Sequence, residues 1–189
     1  MKFIKKTTWQ KVFQNWKDSE EENPEWINCA TEIKGWSNWE EWRKYTASQL
    51  NLQKKVWNIF EFTDPAAEIP QMLIGPYSSW QSRVLKKNLS SFSDLANLPK
   101  EYKHFKNNEK IISILKNNSF DSDLIGVVRE DMDKIVCIEG HHRAMALTIA
   151  KKDGMKIDLN DPVRIVLAKL PKDEAFLLDE TLKRGSSKK

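Results

Sequence analysis

Residues Ile135 to Ala150 read Ile-Val-Cys-Ile-Glu-Gly-His-His-Arg-Ala-Met-Ala-Leu-Thr-Ile-Ala, and few structures accommodate that order. The apolar, β-branched run Ile135–Ile138 reads as a strand. Glu139 ends it and Gly140 breaks it. The helical run that follows opens with two histidines and an arginine. A helix start already carries partial positive charge and unpaired N–H groups. Cations in the first turn worsen that balance, and a bound phosphate or carboxylate would reverse it. The stretch therefore predicts a strand–turn–helix corner that receives an anion.

The aromatic residues divide the chain. Seven of the eight tryptophans, from Trp9 to Trp57, lie in the first third. Trp9, Val12, Phe13 and Trp16 follow helical spacing. Asp18–Glu22 reads as a solvated link, Pro24 as the first residue of a second helix, and Ser37-Asn38-Trp39-Glu40 as a capping box opening a third. Val56–Phe62 is expected as a strand. Trp80–Lys87, Ser93–Leu98 (stopped near Pro99) and Glu109–Lys116 are expected as helices. Leu124–Arg129 and Lys134–Ile138 form a predicted hairpin, so the sheet has antiparallel content. The helix after Gly140 is expected to stop at Gly154. Val163–Lys169 reads as a strand and Asp173–Leu182 as a closing helix. The result is an α+β class: a small mixed sheet with packed helices over residues 56–182, a tryptophan-rich helical extension over 1–55, and a frayed tail over 183–189.

The segment around Glu139-Gly140-His141-His142-Arg143 resembles the ParB/sulfiredoxin-like superfamily. Its members share an apolar strand, an acidic or small residue, glycine, two variable residues and an arginine at a helix start. The likeness spans about residues 56–170 and is carried by 124–150. Sulfiredoxins place a nucleophilic cysteine where this chain has His141, and Cys137 lies upstream in the strand. Chromosome-partitioning ParB proteins need a helical DNA-binding domain, and only 46 residues follow Arg143. The closest wording is that of the free-serine kinases, Asp-Gly-His-x-Arg, with Glu139 here in place of the aspartate.

That resemblance implies ATP or another nucleotide as ligand, Mg²⁺ as an aid, and phosphates held by Gly140, His141, His142 and Arg143. Glu139 and His141 are the catalytic candidates. Gly140 would let the backbone approach a phosphate, and Arg143 would fork onto its oxygens. One histidine could donate or shuttle a proton. His141, nearer the turn, is favoured, since adjacent helical residues point about 100° apart. Glu139 could act as general base, as Mg²⁺ ligand, or as a cap on the helix amides. Each role has a plainer counterpart. Gly140 could simply make the turn, and Arg143 could pair with Glu139. Glu61 and Glu68 are the carboxylates that could activate an acceptor hydroxyl. Trp36, Trp39 and Trp42 could stack on a base or sugar, although aromatics at helical spacing are usually core.

Other classes are bounded by composition. Two cysteines, Cys29 and Cys137, make no disulfide framework. Adjacent histidines seldom chelate one tetrahedral metal, so no zinc site is expected. No apolar run approaches the roughly 20 residues of a membrane span, and the first residues lack a signal peptide's apolar region, so a cytoplasmic protein without a membrane partner is the default. Lys86-Lys87 and Lys188-Lys189 read as solvated surface. A net charge of +4 does not argue for nucleic acid. Three functions remain: a nucleotide-dependent phosphotransferase acting on a small hydroxyl-bearing molecule; a non-catalytic nucleotide-binding switch or interaction module, whose helical extension offers a surface to a protein partner; and, weakest, a nucleic-acid protein.

Overall fold

The computed structural model describes every residue except Asn118, Asp121, Asp158, Asn160 and Lys189. In chain order the elements are β1 (Lys2–Thr7), α1 (Trp9–Glu20), α2 (Pro24–Asn28), α3 (Trp39–Gln49), β2 (Trp57–Glu61), α4 (Pro65–Glu68), α5 (Ser78–Gln81), α6 (Phe92–Ala96), α7 (Pro99–Lys106), α8 (Glu109–Asn117), β3 (Leu124–Arg129), β4 (Lys134–Glu139), α9 (His141–Lys152), β5 (Arg164–Leu170) and α10 (Leu177–Arg184). A wide helical turn over Cys29–Ile33 continues α2. This is the α+β fold that the patterning predicts.

Side-chain caps set most of the helix starts. Thr8, Asn23, Asn38, Asp64 and Ser91 each accept a backbone N–H from the first turn of α1, α2, α3, α4 and α6. Asn38, rather than Ser37, caps α3, and the reciprocal capping box belongs to Ser91 and Asp94 on α6. The helix expected over Trp80–Lys87 is only the single turn of α5, because Gln81 turns inward. Its amide donates to the carbonyls of Ile74 and Gly75 and accepts the Asn88 N–H. The short helix expected to stop near Pro99 is followed by α7, with Pro99 at its first position.

The strands form one sheet in the order β1-β2-β5-β3-β4. All neighbours are antiparallel except β3 and β5, which α9 joins as parallel partners by returning the chain from β4. Leu73 pairs with Val136 on the outer side of β4, so the segment Met72–Gly75 lies along that edge. Alternation along the strands builds two cores. Leu124, Cys137, Ile165 and Leu167 face one side, against α6, α7, α8 and α9. Ile125, Val127, Val136, Ile138, Val166 and Ala168 face the other, against the tryptophan-rich helices and α10.

Residues 1–55 are therefore a layer of the fold. They supply the edge strand β1, and Val12, Trp16, Trp39 and Trp42 cover one sheet face. The chain end also departs from the frayed tail expected. Trp36 Nε1 donates to the Ser186 carbonyl (2.8 Å), Gln49 Nε2 to that of Gly185 (2.9 Å), and the Lys188 N–H to that of Lys34 (2.8 Å). Lys189 lies outside the described residues. No helix among the described residues is long and apolar enough to cross a membrane.

Candidate functional site

Gly140 makes the corner between β4 and α9. Its φ of +96° lies in the left-handed region. A Cβ there would collide with the Leu124 side chain, so packing as well as backbone geometry demands glycine. Gly140 has no side chain with which to cap α9, and among the described residues no side chain caps it. The first amides of this 12-residue helix are thus left for an outside acceptor.

Arg143 turns back across the corner. Its Nη2 donates to Glu139 Oε2 at 2.5 Å, and its Nη1 donates to both the carbonyl and the hydroxyl of Ser122. The side chains of Arg143 and Glu139 are only 12% and 18% exposed, so the pair is sheltered from water. This is the plainer of the two roles expected of Arg143. Burial raises the Glu139 carboxyl above the ordinary carboxylate range, and the Arg143 guanidinium opposes that shift.

The two histidines take different roles. His141 is buried, and its Nε2 accepts the Gly75 N–H at 3.0 Å. That bond leaves the ring proton on Nδ1, which lies 3.6 Å from Cys137 Sγ. Tyr77, Trp80 and Phe92 surround the ring. Burial lowers its pKa to about 3, with His142 and Arg43 adding to the shift. Both ring nitrogens of His141 are thus engaged inside the protein. The preference for His141 as phosphate ligand or proton shuttle is corrected: it is a neutral latch between α9 and the Met72–Gly75 segment. His142 is the partly exposed neighbour, edge-on to Trp80. Its pKa falls to about 4 through burial and the nearby Lys110. Neither histidine is a cation at neutral pH, so the charge argument for an anion passes to the helix amides.

Gly75 is the second obligatory glycine. A Cβ there would overlap the Cys137 carbonyl and meet the His141 ring at 2.9 Å. Tyr77 closes this side by donating to the Ile138 carbonyl (2.9 Å).

In front of the corner lies a cavity of about 790 Å³, within the usual range for small-molecule sites. Glu139, His142 and Arg143 line one wall, and Trp16, Trp42 and Arg43 line the other. The tryptophan-rich layer thus forms part of the site. Trp42 borders the cavity but is core, as is Trp39, which donates to Glu20, and Trp36 is bound to the tail. Glu61 and Glu68 are not in the wall. Glu68 instead accepts the N–H groups of Thr63 and Asp64. Around His142 and Lys110 the cavity adjoins a shallower cleft bordered by Lys100, Lys103 and His104.

Sequence reasoning missed the Arg43–Glu20 pair. Arg43 Nη2 and Nε donate to Glu20 Oε2 at 2.6 and 3.1 Å, and Trp39 Nε1 joins them at 2.8 Å. The guanidinium carbon lies 3.9 Å from the Trp42 ring centroid and 4.8 Å from that of Trp16. The only prior signal was the excess of tryptophan itself. Among the described residues no three His, Cys, Asp or Glu side chains gather to hold a metal ion. A Mg²⁺ ion therefore finds no cage of protein ligands among them, and no chemical step is assigned to one. No protein-family model, curated protein or solved structure matches this chain.

Proposed function

We propose that this chain binds ATP or a related nucleotide at the Glu139–Arg143 corner and passes a phosphoryl group to a small hydroxyl-bearing molecule. One observation carries the reading: the uncapped start of α9 opens onto a large cavity beside a carboxylate of raised pKa. Free helix amides suit phosphate oxygens, and a carboxylate raised by burial above its ordinary range is a stronger proton acceptor. The resemblance to the ParB/sulfiredoxin-like superfamily, and to its free-serine kinases in wording, points the same way.

In this reading the acceptor hydroxyl oxygen bonds to the terminal phosphorus. The bond from that phosphorus to its bridging oxygen breaks, and the nucleoside diphosphate leaves. Glu139 takes the hydroxyl proton. Arg143 fixes the Glu139 carboxylate and keeps it ionised before the transfer. The amides of α9 stabilise charge on the transferring group.

Titration calorimetry with ATP, ADP and CTP tests the binding. Phosphorus NMR with a panel of amino acids and sugars tests the transfer. Glu139→Gln should keep nucleotide binding and lose turnover. Absence of binding by all three nucleotides would end the proposal.

A second reading is favoured by one fact: Arg143 is already committed to Ser122 and Glu139. A nucleotide that draws Arg143 away would release the segment before β3. The chain would then be a nucleotide-dependent switch or interaction module, with α1–α3 facing a protein partner. Binding without turnover across the panel selects this reading.

A further inference from the structure

The charges that line the cavity do not balance among the described residues. Its carboxylates are Glu20, Glu25 and Glu139. Each already holds a cation of the same lining: Glu20 pairs with Arg43, Glu25 with Lys110 and Glu139 with Arg143. The lysine left over is Lys34, which makes no ion pair among the described residues. The histidines at the corner are neutral, so they do not alter this surplus of positive charge.

Lys34 follows the wide helical turn Cys29–Ile33 in the tryptophan-rich layer and is half-buried. Its charge is felt within the lining. Burial pushes up the thiol of Cys29, which also borders the cavity, and Lys34 leads the cations that oppose this, ahead of Arg43 and Lys110. At Glu139, burial apart, the leading charges are instead those of Arg143, Glu20 and Arg43. Lys34 thus serves a part of the cavity other than the phosphate corner. A half-sheltered ammonium there favours an anionic guest, because charge-assisted hydrogen bonds are roughly twice as strong as neutral ones. The described lining spares no carboxylate in return. A guest ammonium would have to displace Arg43, Lys110 or Arg143 from its partner.

We propose that Lys34 holds an acidic group of the acceptor, and that the acceptor is a hydroxy acid without an amine, an alcohol bearing a carboxylate or a phosphate. Its hydroxyl oxygen bonds to the terminal phosphorus of the nucleoside triphosphate, its proton passes to Glu139, and the nucleoside diphosphate leaves. The hydroxyl rests on the phosphotransferase reading, and the acidic group rests on Lys34.

The test is calorimetry on the intact protein with glycerate, glycerol 3-phosphate, glycerol and L-serine, titrated singly, and with ATP in a separate series. The four small molecules share one carbon skeleton and differ in the acidic group and the amine. The expected result is saturable binding of glycerate or glycerol 3-phosphate, with glycerol and L-serine at least about tenfold weaker. Binding of glycerate assigns the acidic group as a carboxylate, and binding of the phosphate ester assigns it as a phosphate. Lys34→Gln should weaken the bound acid about tenfold or more, and Lys34→Arg, which keeps the charge, should retain it. The wild-type comparison needs no variant, so a misfolded substitution leaves the test intact. Binding of neither acid, equal affinity for glycerol or L-serine, or an acid affinity unchanged by Lys34→Gln overturns the proposal. Loss of ATP affinity in Lys34→Gln with the acid still bound overturns it by giving Lys34 to the nucleotide. ATP binding without any response to the acids overturns the acceptor class and leaves the transferase reading standing. Acid binding without ATP binding overturns the acceptor role together with the transferase.

Discussion

His141 Nε2 accepts the Gly75 N–H, and this one bond ties the start of α9 to the segment lying along β4. It unites the two glycine positions of the site. His141→Phe keeps an aromatic ring, though a larger one, and removes the acceptor. The Gly75 N–H is then buried and unpaired, at a cost of about 1–3 kcal/mol. Urea unfolding should show a lower midpoint at unchanged slope.

Acid should unfold the protein partly through its histidines. The folded pKa values of His141 and His142 are about 3 and about 4, below the value of about 6.5 for an unfolded histidine. Between those limits the unfolded chain binds protons that the folded chain refuses. Stability is therefore complete above about pH 6.5 and falls as the pH drops toward 3. A chemical-denaturation series across that window should slope less steeply in a His141→Phe variant than in the wild type.

Between about pH 5.5 and 8 nucleotide affinity should follow only the nucleotide's own phosphate ionisation near pH 6, because both histidines at the corner are neutral throughout. Calorimetry with ADP at several pH values checks this. Affinity that climbs toward the acid end would mean that the ligand recharges His142.

The Glu139–Arg143 pair should be strongly coupled. Arg143→Met alone strands a sheltered carboxylate and should cost about 3 kcal/mol or more. Replacing both residues, by Glu139→Leu with Arg143→Met, should recover much of that loss. A double-mutant cycle in denaturant measures the coupling. Purely additive losses would place the pair among ordinary surface contacts.

The hairpin of β3 and β4, the Gly140 corner and the extent of α9 were all legible in the sequence, because strand patterning and a lone glycine leave little choice there. β1 was not. Lys2, Lys5 and Lys6 give it little apolar alternation, and it becomes a strand only because β2 offers a partner. The roles of His141 and His142 were equally hidden. Which one turns inward depends on Gly75, which is 66 residues away in the chain. Arg43 and Glu20 look like ordinary charges of solvated helices, and their burial becomes evident only when Trp16 and Trp42 enclose them. Local patterning specified the elements. Pairings across the chain decided which polar groups face the cavity.

Both faces of the sheet are covered, and this limits how the protein can be shortened. Cutting at residue 55 would not release a smaller stable unit. It would strip the cover from Ile125, Val127, Val136, Ile138 and Val166 and take away a large part of the cavity wall at the same stroke. The remnant would present a bare apolar sheet to water and precipitate before it could bind anything.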